Sequence, residues 1–176
     1  GGTRFERSII SFVFREINYK AIRNGAQFEL SRTFFENSDT IHDFLNNTGF
    51  QRYINTQRIA LEDSIVNNYK ASVNSVHYFS VLPFGLNDAA VNKTLMGEER
   101  IRNKNYYKVK VTFNENGGGE DYEDVFIYWI NKKSFKVDYL AYAYSEDNDI
   151  GMRFRAAYNE RYVKGLRFVD YNNYYF

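Results

Sequence analysis

Cysteine is absent from the 176 residues of this chain. That excludes a disulfide framework, a thiolate metal site and a cysteine nucleophile. Histidine is nearly absent too, with only His42 and His77, and Trp129 is the one tryptophan. Neither sign of charge is in excess: 23 basic residues against 22 acidic ones leave a net charge of +1. Such a balance argues against a nucleic-acid-binding protein, which carries a basic excess, and it leaves no polybasic patch for a membrane surface. No apolar run reaches the ~18 residues of a membrane-spanning helix.

What the chain has in quantity is aromatic: 16 Tyr and 16 Phe. Such side chains suit a pleated, half-buried surface, and in this number they build a thick core or the wall of an apolar cavity. From Tyr106 the sequence reads as successive strands, YYKVKVTF, VFIYWI, SFKVDYLAYAY, MRFRAAYNERYVKG and LRFVDYNNYYF. Their breaks are turn signals: Gly117-Gly118-Gly119 flanked by acids, Asn131 to Ser134, Glu146 to Gly151, and Gly165.

The first 35 residues read as a β-meander, with a type I′ turn expected at Asn24-Gly25. In AQFELSRTFF, Phe28 and Leu30 fall on one face and Gln27, Glu29 and Ser31 on the other, which marks one dry and one wet side. TIHDFL and FQRYIN are two short strands around Asn46-Asn47-Thr48-Gly49. One long helix is expected from Leu61 to Val81, where apolar and small residues recur at spacings of three and four, closed by Pro83 and Gly85. A second, short helix is expected from Asn87 to Lys93, capped by Asn87. No βαβ alternation occurs, so the fold class is mostly β (α+β) with an antiparallel sheet. A chain of this length forms one domain, residues 1–176, large enough to need no staples. Gly1-Gly2 in place of an initiator Met predicts a processed or tagged N-terminus. The strand-like run up to Phe176 predicts that the native chain continues.

Residues 73 to 174 resemble a family of uncharacterised bacterial envelope lipoproteins, through SVNSVHYF, LPFGLNDAAVNK, the long stretch from YYKVKVTF to LAYAY, and GMRFRAAYNERYVKGLRFVDYNNY. The segment YKVKVTF…VFIYWINKKSFKVDYL is also similar to the LolA/LolB-like periplasmic lipoprotein carriers and receptors. That resemblance implies a strongly curved antiparallel sheet, an incomplete β-barrel with the long and the short helix over its concave face. It also implies an apolar ligand inside, and a location in the periplasm or at the outer membrane. Secretion by a removed signal peptide and a tether through the removed N-terminus follow from the same resemblance.

On strand 135–144, Phe135, Val137, Tyr139, Ala141 and Ala143 are expected to share a side; on strand 152–162, Met152, Phe154, Ala156, Tyr158 and Tyr162. Phe135, Tyr139, Phe154 and Tyr158, with Trp129 and with Tyr69, Val73 and Val76 of the helix, are the candidate lining of a lipid-sized cavity. The same side chains would equally serve as plain core. On the opposite side, Asp138, Tyr142, Arg153, Arg155 and Arg161 are candidate contacts for a carboxylate or phosphate head group, or a solvated face with cross-strand ion pairs.

No catalytic residue, metal site or cofactor is expected. The histidines have no metal-ligand spacing, the glycine triplet lacks the Lys and the helix of a phosphate loop, and the acidic runs 120–124 and 146–149 lack calcium-loop spacing. The expected function is therefore non-enzymatic binding of a hydrophobic or amphipathic small molecule, lipid or acyl chain first, in the bacterial envelope. The alternative is an envelope interaction module with a fully packed core and no ligand.

Overall fold

The computed structural model describes residues 2–116, 122–146 and 149–175. The chain divides into two compact units, Gly1–Phe84 and Gly85–Phe176. The glycine triplet and parts of both acidic runs lie outside the described residues.

In the first unit a short helix α1 (Gly2–Glu6) leads into β1 (Arg7–Phe14), β2 (Ile17–Asn24), β3 (Gln27–Glu36), β4 (Asp39–Asn46), β5 (Gly49–Ile54) and β6 (Gln57–Ile59). These form one six-stranded antiparallel sheet in which each strand pairs with the next in sequence. Two-residue turns set the register. Arg15-Glu16, Asn37-Ser38 and Asn55-Thr56 have positive φ at both residues, the type I′ geometry that matches strand twist. The pair at Gly25 differs from expectation. Asn24 still pairs with Gln27, so the loop is Gly25-Ala26, and φ is positive only at Gly25, as in a type II′ turn.

Alternation then sorts the side chains. Ala21, Leu30 and Leu45 point to one face and form a core cluster with Val73, against which Phe50 packs. Val73 comes from α2 (Asp63–Ser80), the long helix, which lies on β3, β4 and β5. Each such apolar side chain, fully withdrawn from water, contributes roughly 1.5–3 kcal/mol.

The second unit is a second six-stranded antiparallel sheet, in sequence order from β7 (Val91–Ile101) through β8 (Lys104–Phe113), β9 (Val125–Asn131), β10 (Val137–Glu146) and β11 (Asp149–Val163) to β12 (Leu166–Tyr175). Neither sheet closes on itself. The expected short helix at 87–93 is not formed: residues 87–90 are turns, and β7 begins at Val91. Val91 pairs with Phe113, so the strand ladder claims the segment that a lone Asn cap would have begun as a helix.

Three register shifts interrupt the second sheet, at Leu95/Gly97, Val137/Tyr139 and Tyr158/Arg161. Each extra residue bends the strand and reverses which face the following side chains take. On one face lie Val111, Phe126, Tyr128 and Leu140, all buried. The other carries Tyr106, Trp129, Tyr139 and Phe154. At the start of β11, Tyr144 lies over Gly151, where an added Cβ would overlap the ring. We expect Gly151→Ala to displace that ring at a cost of about 1 kcal/mol. Loss of the Tyr144 contribution to near-ultraviolet dichroism, together with the urea midpoint, checks it.

Candidate functional site

The aromatic face of the second sheet is a chain of ring contacts. Trp129 meets Phe154 edge-on at 5.7 Å, Phe154 stacks on Tyr139 at 5.8 Å, Tyr139 meets Tyr106 at 5.6 Å, and Phe154 reaches Tyr174 at 6.1 Å. Cross-strand register produces it, since Tyr139 opposes both Trp129 and Ala156. Trp129 is anchored at its polar end: Nε1 donates to Glu99 Oε2 at 3.0 Å, and Lys108 Nζ lies 5.4 Å from the ring centre. The bond from Trp129, with help from Lys108, holds the Glu99 carboxyl below its usual range.

Of the candidate lining residues, Tyr139, Phe154 and Trp129 are thus brought together. Tyr158 is on the same sheet but half exposed. Phe135 requires a correction. It lies outside β10, in the turn after Asn131, with φ of +56° and 72% exposure. Asn131 Oδ1 accepts from the N–H groups of Lys133 and Ser134, which stabilises that turn and starts the strand two residues later than expected. Val137 does not share a side with Tyr139, because the register shift between them reverses its direction.

The helix residues fall in the first unit. Val73 is fully buried in the core cluster, Val76 is half-buried, and the Tyr69 ring lies 3.6 Å from the Arg52 guanidinium.

The proposed polar face separates into two groups. Arg155 Nη2 donates to Tyr142 Oη at 2.9 Å, and Arg153 sits over the Tyr144 and Tyr175 rings at 5.3 and 4.5 Å. Burial pushes the Tyr142 hydroxyl up and the Arg155 guanidinium down from their ordinary values. Arg161 is not part of this cluster. The shift after Tyr158 turns it to the face of Tyr158, where it donates to Asp170 at 2.9 Å. Asp138 also finds other partners: Tyr106 Oη donates to it at 3.0 Å, and Lys104 and Arg167 lie 3.9 and 4.0 Å away. This face is not a simple solvated one, for it is the face of buried Tyr128 and Leu140.

Sequence reasoning missed the most strongly charged buried feature, which lies under α2 in the first unit. Asp43 has no exposed surface and is gripped by two arginines. Arg32 Nε donates to Oδ2 at 2.8 Å, Arg52 Nε to Oδ1 at 2.6 Å, and Arg52 Nη2 to Oδ2 at 2.8 Å. Arg32 Nη1 continues to Ser72 Oγ on α2 at 2.8 Å. Bonding to Asp43 outweighs burial and raises the Arg52 pKa. The signal was available, since alternation places Arg32, Asp43 and Arg52 on the dry side with Leu30 and Leu45 once register is known.

Next to Arg52 a groove of about 400 Å³ runs between β5, β6 and the start of α2, lined by Phe50, Gln51, Arg52, Arg58, Ile59, Ala60, Leu61 and Val66. The histidines lie on opposite faces of the first sheet. His77 is buried with Nε2 2.9 Å from the Ser31 carbonyl, and half-buried His42 has Nδ1 2.8 Å from Thr33 Oγ1.

A family model described as a family of unknown function, DUF6503, matches residues 12–175. The chain therefore belongs to that family, and the match runs through both units. No curated protein matches the chain. Among solved structures, it is similar to the LolA superfamily protein NE2245 from Nitrosomonas europaea, at 12% identity and a TM-score of 0.53, over 85% of this chain. The chain spans 64% of that protein's length. At this identity the likeness concerns the fold: a mostly β, antiparallel, unclosed architecture with few helices, as expected. No helix among the described residues is long and apolar enough to cross a membrane.

Proposed function

We propose that this protein binds a hydrophobic or amphipathic ligand, a lipid or acyl chain, without catalysing a reaction, and that it does so in the bacterial envelope as a secreted, membrane-tethered lipoprotein. The two units act in this reading as one LolA-like domain. The observation that carries it is the connected aromatic face of Trp129, Tyr139, Phe154 and Tyr174, flanked by exposed Met152 and Tyr158. Contiguous apolar surface of this kind marks a binding site. The likeness in fold to a LolA superfamily protein supports it. Burial of ligand surface at roughly 25 cal/mol/Å² drives association.

Because Trp129 is the only tryptophan, its emission reports on this face alone. A brominated fatty acid is expected to quench it in a saturable manner, and Phe154→Ala to weaken the apparent affinity about tenfold, or 1.4 kcal/mol. Lipid extraction of the purified protein, read by mass spectrometry, should return an acyl species. Emission that the brominated chain leaves untouched, with no lipid extracted, would sink the reading.

A further inference from the structure

Each sheet ends in two edge strands, β1 and β6 in the first unit and β7 and β12 in the second. An open edge presents unpaired N–H and C=O groups, and proteins blunt it with shortness, charge, proline or a bulge. Three of the four edges are blunted in this way. β6 is three residues long. β7 carries Lys93, Glu98, Glu99 and Arg100 and the register shift at Leu95/Gly97. β12 carries Arg167 and Asp170. β1 differs. It pairs with β2 over eight residues without a shift, and from Ser8 to Phe14 it has neither a charge nor a proline. Ile9 and Val13 project from it, 70% and 67% exposed.

The turn after β1 fixes which of its backbone groups are free. Residues flanking a two-residue type I′ loop bond to each other, so Phe14 and Ile17 are a hydrogen-bonded pair around Arg15-Glu16. Bonded and non-bonded pairs then alternate along the ladder. Phe12, Ile10 and Ser8 therefore direct their backbone groups to β2, and Val13, Ser11 and Ile9 direct theirs to the open edge. Ile10 opposes Ala21 of the core cluster, so the side chains of Ile9, Ser11 and Val13 take the face away from that cluster. Open backbone and exposed apolar side chains thus belong to the same three residues.

We propose that β1 pairs antiparallel with β1 of a second copy of this chain, about a two-fold axis at Ser11. In that register Ser11 faces its own mate, and Ile9 of each copy faces Val13 of the other. The two exposed apolar side chains gain each other as cross-strand neighbours, and the free backbone groups of all three residues find partners. The strand is its own complement only in this register. A slip of one residue would offer groups already bonded to β2. A slip of two would set Ile9 and Val13 against Ser11 and an arginine, Arg7 or Arg15. A two-fold contact is closed, so assembly stops at the dimer. The inference stands on the first unit and does not rest on the aromatic face of the second.

The test is sedimentation equilibrium of the full chain, where a reversible monomer–dimer equilibrium is expected. Ser11→Pro removes an outward N–H and no bond to β2; it should weaken the dimer at least tenfold. A second variant, Ile9→Lys with Val13→Lys, changes only exposed positions and sets like charges opposite each other, so it should be monomeric. The same should hold for Ile9→Glu with Val13→Glu. Mixing the Lys variant with the Glu variant should restore a dimer, now of one copy of each. Far-ultraviolet dichroism checks that every variant is folded. A parent chain that stays monomeric at millimolar concentration, a dimer that Ser11→Pro leaves intact, or Lys and Glu variants that do not pair when mixed would each overturn the proposal.

Discussion

Asp43→Asn is expected to destabilise the protein by about 3–5 kcal/mol, because it leaves two arginines buried with no compensating charge. The carboxylate has no exposed surface and takes three hydrogen bonds from Arg32 and Arg52. Asn retains one acceptor oxygen and presents an N–H₂ donor where a guanidinium now donates. For a chain of this size, a loss of that magnitude lowers the melting midpoint on the order of 10 °C. The comparison that isolates the cause is the triple replacement Arg32→Met, Asp43→Leu, Arg52→Met. Removing all the charges together removes their desolvation cost as well, and such replacements are often neutral or stabilising by about 1–4 kcal/mol. Urea denaturation of the two variants should therefore rank the triple variant well above the single one. A single variant as stable as the parent would mean that Asp43 does not sit at the centre of a buried ion cluster.

Acid is expected to cost about 3 kcal/mol of stability between pH 6.5 and pH 4 through His77 alone. Burial holds this imidazole down to about 4, with the nearby Arg23 charge acting in the same direction and the Ser31 carbonyl opposing. Its Nε2 hydrogen is directed at that carbonyl at 2.9 Å, while Nδ1 has no hydrogen-bond partner among the described residues and the Phe12 and Tyr19 rings lie at 5.7 and 5.5 Å. The folded state thus keeps the neutral ring. The unfolded chain takes up a proton near pH 6.5, and the folded one only near 4. As pH falls through that window the unfolded state binds more protons, so stability falls, and the loss saturates below about 4. The fall from 6.5 to about 4 corresponds to about 3 kcal/mol. Glu160 acts in a lower window. Lys136 and Arg167 hold it down to about 2, so its contribution is present above its ordinary value of 4.5 and is lost between 4.5 and 2. His77→Leu should flatten the stability profile between pH 6.5 and 4 and leave the lower limb in place. A variant with an unchanged slope in the upper window would assign the acid sensitivity to another group.

The parts of this fold that could be read from sequence are those governed by local periodicity. Alternation in AQFELSRTFF correctly assigned Leu30 to the dry side, and the three-and-four spacing from Leu61 to Val81 overshot α2 by only a residue or two at each end. Failures gathered where one extra residue enters a strand. The shifts at Val137/Tyr139 and Tyr158/Arg161 reverse the facing of everything beyond them, and no residue type in NKKSFKVDY or AAYNERY announces this. Asn159, with φ of +48°, is the nearest to a warning. Arg161 consequently belongs with Asp170, and Val137 with the buried face. The Arg32–Asp43–Arg52 cluster was hidden for a different reason. Each of its members looks like an ordinary surface charge within its own strand, and only cross-strand register reveals that they converge.

The sheet topology also bears on how the chain folds. Every strand of each sheet hydrogen-bonds to the one just before or just after it in sequence, so no ladder waits for a distant segment. The entropy lost in closing each hairpin is that of a short loop, and all-β chains wired this way escape much of the slowness that long-range pairing imposes. On the ribosome each new hairpin would find its acceptor strand already made. Nascent edges would then stand open only for as long as it takes to translate one more strand.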